Sequence, residues 1–184
     1  MKKVLVPLAP GFEEIEAITI IDILRRAGLT VVAAGTQPGP IEASRQTRHL
    51  PDCTLDDVRI DEFDMLVLPG GQPGATHLRQ DPRLQRMILA LQARHCPLAA
   101  ICAAPTVLAA AGVLKDRTAT AHPSVRAEIA AAARAVSNDR VVVDGPVITS
   151  QAAGTAMEFA FKLVELLCGP EKVAEINRGV LARL

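Results

Sequence analysis

The sequence predicts an α/β protein, a three-layer α/β/α sandwich of flavodoxin-like type on a mostly parallel sheet. Three observations predict it. Short branched-aliphatic runs alternate with longer helical patterns along the 184 residues. Those runs are apolar throughout rather than alternating, as strands covered on both faces require. Their order, βαβ followed by further βα units, is that of an open, doubly wound sheet. The length suits one domain over residues 1–184, large enough to bury a core without a disulfide or metal staple.

Lys3–Leu8 (KVLVPL) reads as the first strand, Glu13–Ala27 as a helix ending at Gly28, and Leu29–Ala34 (LTVVAA) as the second strand. Gln37–Asp52 is the least regular stretch and is expected to hold a small hairpin. Asp64–Leu68 (DMLVL) is a near-continuous apolar strand running into Pro69-Gly70-Gly71. Pro82–His95 is expected to be helical, Leu98–Ile101 a short buried strand, and Pro105–Ala111 a helix stopped by Gly112. The alanine-rich Val125–Ala135 is expected to be one helix. Val141–Val143 and Val147–Thr149 read as strands flanking an Asp144-Gly145 turn. Two helices, Thr155–Cys168 and Glu171–Leu181, close the chain around Gly169-Pro170.

Composition excludes several classes of function. Twenty Lys+Arg balance twenty Asp+Glu, which removes any bulk attraction to nucleic acid or anionic membrane. Four Phe with no Trp or Tyr leave no stacking platform of the kind single-strand binders use. No run approaches the ~20 apolar residues of a membrane span. The apolar run after Lys2-Lys3 is cut by Pro7, Pro10 and Glu13-Glu14, and so does not read as a secretory signal. Cys53, Cys96, Cys102 and Cys168 are irregularly spaced, with no C-x-x-C and no paired zinc-type arrangement. The thiols are expected to be reduced, and the expected location is the cytoplasm.

In open α/β sheets ligands bind beyond the carboxyl ends of the strands. Three such ends carry unusual residues: Pro10–Glu16, Gly70-Gly71, and Cys102 in A-A-I-C-A-A-P (Ala99–Pro105). Proline is tolerated in a first helical turn, so Pro105 places a helix start near Ala103 with Cys102 at its edge. There free amides and the dipole would draw a thiol down from its ordinary value of about 8.5. The alternative is a small buried hydrophobe. Glu16 shares a helix face with Ile20, Ile23, Leu24 and Ala27, so it reads either as an acid/base with its pKa pushed upward or as an N-terminal capping carboxylate. Backbone amides of the Gly70-Gly71 turn and of Ala103 are candidate oxyanion donors, though Gly-Gly also serves as a plain turn. His122, in T-A-H-P, either assists the thiol or is a loop residue bonded to backbone. Ile15 and Ile18 lie off the core-facing stripe of the first helix, beside Asp22 and Arg26. They are either scattered surface residues or a contact surface for a second copy.

These segments together resemble the ThiJ/PfpI superfamily, on the branch of the parkinsonism-associated deglycase and the bacterial YajL proteins. The resemblance runs through A-P-G-F-E-E-I-E (Ala9–Glu16), R-R-A-G (Arg25–Gly28), Ser44-Arg45, V-L-P-G-G (Val67–Gly71), Ala99–Pro105, His122-Pro123 and T-S-Q-A-A-G-T (Thr149–Thr155). It implies that Cys102 is a nucleophile sensitive to oxidation, that Glu16 hydrogen-bonds it, and that the amides of Gly71 and Ala103 form the oxyanion hole. It implies a cytoplasmic homodimer with no cofactor and no metal, acting on methylglyoxal and glyoxal, or on glycated protein, as a glutathione-independent glyoxalase or deglycase. The alternative is an oxidative-stress chaperone with little turnover. Ala103, where protease-like relatives place a histidine, and Pro123-Ser124, where amidotransferases continue an H-x-E pair, argue against peptidase and amidotransferase chemistry. Ala153 stands where relatives carry proline.

Overall fold

The computed structural model describes residues 2–183. Along the chain run β1 (Lys3–Leu8), α1 (Glu14–Arg26), β2 (Thr30–Gly35), β3 (Ile41–Glu42), β4 (Arg48–His49), β5 (Cys53–Thr54) and β6 (Met65–Leu68). Next come α2 (Gly74–Gln80), α3 (Pro82–Ala93), β7 (Leu98–Ile101), α4 (Pro105–Ala110), β8 (Thr118–Ala119), α5 (Arg126–Ala132) and β9 (Ala135–Val136). The chain finishes with β10 (Val141–Asp144), β11 (Val147–Ser150), α6 (Ala156–Cys168) and α7 (Pro170–Val180).

The central sheet has seven strands in the order β10-β11-β7-β6-β1-β2-β5. All neighbours are parallel except the β10/β11 hairpin at one edge. From β1 the chain winds outward through β2 on one side and β6 and β7 on the other, so the winding direction reverses between β1 and β6. That reversal opens a crevice at the carboxyl ends of β1, β6 and β7. Side chains alternate across the sheet: Val4, Val6 and Leu8 face one apolar cluster with α1, α6 and α7, while Leu5 faces a second with α2 to α5. This is the expected three-layer sandwich. Fully buried Ile20, Leu24 and Phe159 each contribute about 1.5–3 kcal/mol of burial.

α1 is positioned by its ends. The Glu13 side chain accepts from the Glu16 N–H at 2.8 Å, an N-cap, and Arg25 and Arg26 complement the dipole in the last turn. The hairpin expected within Gln37–Asp52 is β3 paired with β4.

Elsewhere tertiary packing overrode local pattern. The single helix expected over Val125–Ala135 is a 3-10 turn at Pro123–Val125, then α5, then β9. Ala133 is extended, and β9 pairs in parallel with β8, because Arg134 is held outward by Asp144 at 2.9 Å. α2 lies in a stretch, between Gly71 and Pro82, to which the sequence pattern assigns no element. It forms because Ala75 and Leu78 are buried, a gain no short window of sequence displays. β5, two residues long, exists through its pairing with β2.

Candidate active site

Each strand end at the crevice delivers one part of the site. After β1, the first turn of α1 points Glu16 inward with no exposed surface, on the same face as buried Ile20, Ile23 and Leu24. After β6, the Gly70 N–H donates to Glu16 Oε2 at 2.8 Å. After β7, the chain turns through Cys102 at φ +65°, a left-handed conformation that costs a non-glycine residue about 1–3 kcal/mol. Three backbone hydrogen bonds hold it there: Cys102 N–H to the Ser150 carbonyl at 3.0 Å, Ala104 N–H to Ile101 at 3.0 Å, and His122 N–H to the Cys102 carbonyl at 2.8 Å.

The fit leaves room for nothing larger than glycine behind the thiol. A Cβ on Gly70 would lie 2.6 Å from the Cys102 Cβ and 2.8 Å from Glu16 Oε2. Gly71 has φ +89°, and a side chain there would meet the backbone of Gly11, Phe12 and Glu13.

Electrostatics couple the two acidic groups. Burial pushes Glu16 up to about 7, against the opposing pull of the Cys102 thiol and the Gly70 N–H, with Glu13 adding to the rise. Its other oxygen, Oε1, has no partner of ordinary hydrogen-bond geometry among the described residues. Burial likewise pushes Cys102 up to about 12; the Glu16 charge adds to this, and the amides of Gly71 and Ala103 pull the other way. The expectation that a helix start alone lowers this thiol is therefore corrected. α4 begins at Pro105, not near Ala103, and has six residues, too little dipole to outweigh burial beside a carboxylate. The upward expectation for Glu16 agrees with its burial.

Cys102, Glu16, Gly71, Ala103 and His122 line one pocket of about 340 Å³. His122 contributes its ring to the wall, with Nδ1 turned to Ser124 rather than to the sulfur. The pocket also takes in Ser44 and Arg45, whose turn is held by Glu14. That carboxylate accepts from Ser44 Oγ at 3.1 Å, from Arg45 N–H at 3.1 Å and from Thr47 Oγ1 at 3.1 Å. Glu14 and Ser124 had not been singled out. Ser124, two residues after His122, has the spacing of a local side-chain turn, which is a readable signal; the Glu14 contact spans 30 residues and has none. Cys53, Cys96 and Cys168 are free thiols away from this pocket. Among the described residues no group of three His, Cys, Asp or Glu side chains is placed to hold a metal ion, and no helix is long and apolar enough to cross a membrane.

A thiol on a strained strand-to-helix turn, facing a buried carboxyl where a parallel sheet reverses its winding, marks a class of α/β proteins built around one cysteine. The DJ-1/PfpI family model matches residues 2–166, and the chain belongs to that family. It is similar to protein dj-1beta of Drosophila melanogaster, 42% identical over 181 residues that cover 98% of this chain and 97% of that one. The crystal structure of Drosophila melanogaster DJ-1beta superposes with a TM-score of 0.96 at 41% identity, covering 100% of this chain and 99% of that one. A Caenorhabditis elegans protein named glutathione-independent glyoxalase DJR-1.2 is 40% identical over 172 residues, covering 93% of this chain and 91% of its own.

Proposed function

We propose that the protein is a glutathione-independent glyoxalase that converts methylglyoxal and glyoxal, or releases them from early protein adducts, through Cys102. The observation that carries this reading is the buried Glu16 carboxyl, oriented by Gly70 and coupled to the thiol. Two acidic groups in contact share one proton, since charging both at once is opposed by their repulsion. The attacking form is the one with that proton on Glu16 and the charge on sulfur, stabilised by the Gly71 and Ala103 amides; burial beside the carboxyl keeps it the minor form.

The sulfur attacks the aldehyde carbon C1 of methylglyoxal. A C–S bond forms, and the C=O π pair moves to O1, facing those two amides. Glu16 gives its proton to O1, leaving a neutral hemithioacetal. The Glu16 carboxylate then takes the C1 proton, and the electrons of that bond form an enediolate with charge on O2. Return of the proton to C2, with O2 retaining a proton released from O1, yields a lactoyl thioester. C1 is oxidised and C2 reduced, so no external redox partner is needed. Water adds to the thioester, the C–S bond breaks, and lactate leaves with the thiol restored.

Lactate formation from methylglyoxal by wild type, Cys102→Ser and Glu16→Gln, without added thiol, tests the reading. Both variants are expected to lose at least about 100-fold, the range in which a nucleophile's general acid/base partner acts. Turnover by Cys102→Ser at the wild-type rate overturns it.

A carboxyl protonated near neutrality beside sulfur also favours a second reading, a redox sensor. Peroxide would oxidise Cys102 to the sulfenic and then the sulfinic acid, Glu16 donating to the product. Intact mass after mild peroxide is expected to show two oxygens at Cys102; oxidation spread over the four cysteines counts against it. For assembly, exposed Ile15 and Ile18 support a homodimer through α1.

A further inference from the structure

Nδ1 of His122 is already committed. The Ser124 backbone N–H is directed at it at 3.2 Å, and Ser124 Oγ lies 2.8 Å away. An amide N–H can only donate, so Nδ1 is an acceptor and the neutral ring carries its proton on Nε2. The ring is also tied to the thiol's own turn, because the His122 N–H donates to the Cys102 carbonyl at 2.8 Å. Both His122 and Ser124 line the pocket around Cys102. Nε2 makes no hydrogen bond among the described residues, so its N–H is a donor left for whatever enters.

The substrate class proposed above has a place for one. A 1,2-dicarbonyl carries two oxygens; the Gly71 and Ala103 amides attend O1, while removal of the C1 proton moves charge onto O2. A base is not required of His122, since Glu16 already shuttles the proton. With Nδ1 blocked, the ring is arranged to donate. We infer that Ser124 is a positioning residue that fixes His122 as the Nε2–H tautomer, and that this N–H donates to the second carbonyl oxygen of the substrate. The tautomer half stands on geometry alone; the substrate half rests on the glyoxalase reading.

Long-range proton–nitrogen correlation NMR of the full-length, nitrogen-15-labelled protein reads the tautomer directly. It is expected to show His122 protonated at Nε2 in the wild type and still so in Ser124→Ala, which keeps the backbone N–H, with the other tautomer rising in Ser124→Pro, which removes it. A ring protonated at Nδ1 in the wild type or in Ser124→Ala, or a tautomer ratio unchanged in Ser124→Pro, overturns the positioning role. Kinetics with methylglyoxal test the donor. His122→Ala is expected to lose about 100- to 1,000-fold in kcat with little change in KM, as for one lost donor. His122→Gln, which restores a donor, is expected to recover most of that loss. Equal defects in His122→Gln and His122→Ala overturn the donor role. A wild type that makes no lactate defeats the glyoxalase reading and the donor role with it, and leaves the NMR result to decide the tautomer.

Discussion

Glu16 sits where a carboxyl is hard to keep charged: it has no exposed surface, and one of its oxygens has no partner of ordinary hydrogen-bond geometry among the described residues. Folded Glu16 therefore binds its proton more tightly than the unfolded chain does, near 7 rather than 4.5. The sign follows from linkage. The protonated carboxyl favours the folded state fully below pH 4.5, and that contribution is lost as pH rises through 7. The loss amounts to roughly 3 kcal/mol. Glu16→Gln removes the charge, so its stability is expected to be flat over this range. Denaturant melts at pH 5 and pH 8 should show the variant gaining on wild type by about 2–3 kcal/mol at the higher pH. Parallel pH profiles would contradict the assignment. Cys102 answers to the same burial, which is why a short helix behind it does not set its acidity.

The turns that end β1, β6 and β7 do more for the site than any helix. Gly70 occupies a place where even a methyl group would push on both Cys102 and Glu16. Gly70→Ala is expected to cost about 1–3 kcal/mol of stability from overpacking. Lactate formation is expected to fall about 100-fold, since a shift of about an ångström between reacting groups has that effect. A variant with normal turnover would show that the turn has slack. At α1, the Glu13 cap and the inward Glu16 come from one acidic run, A-P-G-F-E-E-I-E, which is why that helix was placed within a residue at each end. α5 and β9 behaved otherwise: alanine propensity alone extends the helix, and strand pairing with β8 ends it.

The two apolar clusters on either side of the sheet hold the strand ends in register, while the surface ion pairs are exposed and contribute about 0–1 kcal/mol each. Among the apolar surfaces the fold leaves uncovered is the outer side of α1. Ile15 is 57% exposed and Ile18 39%, and Ile18 borders a groove with Met157 and Val180 from α6 and α7. Three elements meet at this groove, which Thr19, Asp22 and Arg26 also line, and the homodimer proposed above would cover it, a second copy being the commonest cover. Sedimentation at micromolar concentration is expected to give the dimer mass, and Ile15→Arg with Ile18→Arg the monomer mass with an unchanged circular dichroism spectrum. A monomeric wild type would remove the interface.

The strand and helix periods along the chain, the buried face of α1, and the acidic and glycine-rich strand ends were all readable before any coordinates. They depend on residues close in sequence: continuous apolar runs, a 3.6-residue stripe, a proline or glycine at a boundary. So were Cys102, Glu16, Gly71 and Ala103 at one sheet edge, since strand ends in a parallel sheet converge there, while His122 was read from T-A-H-P and the family resemblance. Three things came from the fold alone: the upward shift of Cys102, the hold of Glu14 on the Ser44-Arg45 turn, and the short elements α2, β5, β8 and β9. Acidity depends on how much water and which charges surround a group, and strand pairing depends on distant backbone. Both are properties of groups brought together across tens of residues, which a local pattern cannot express.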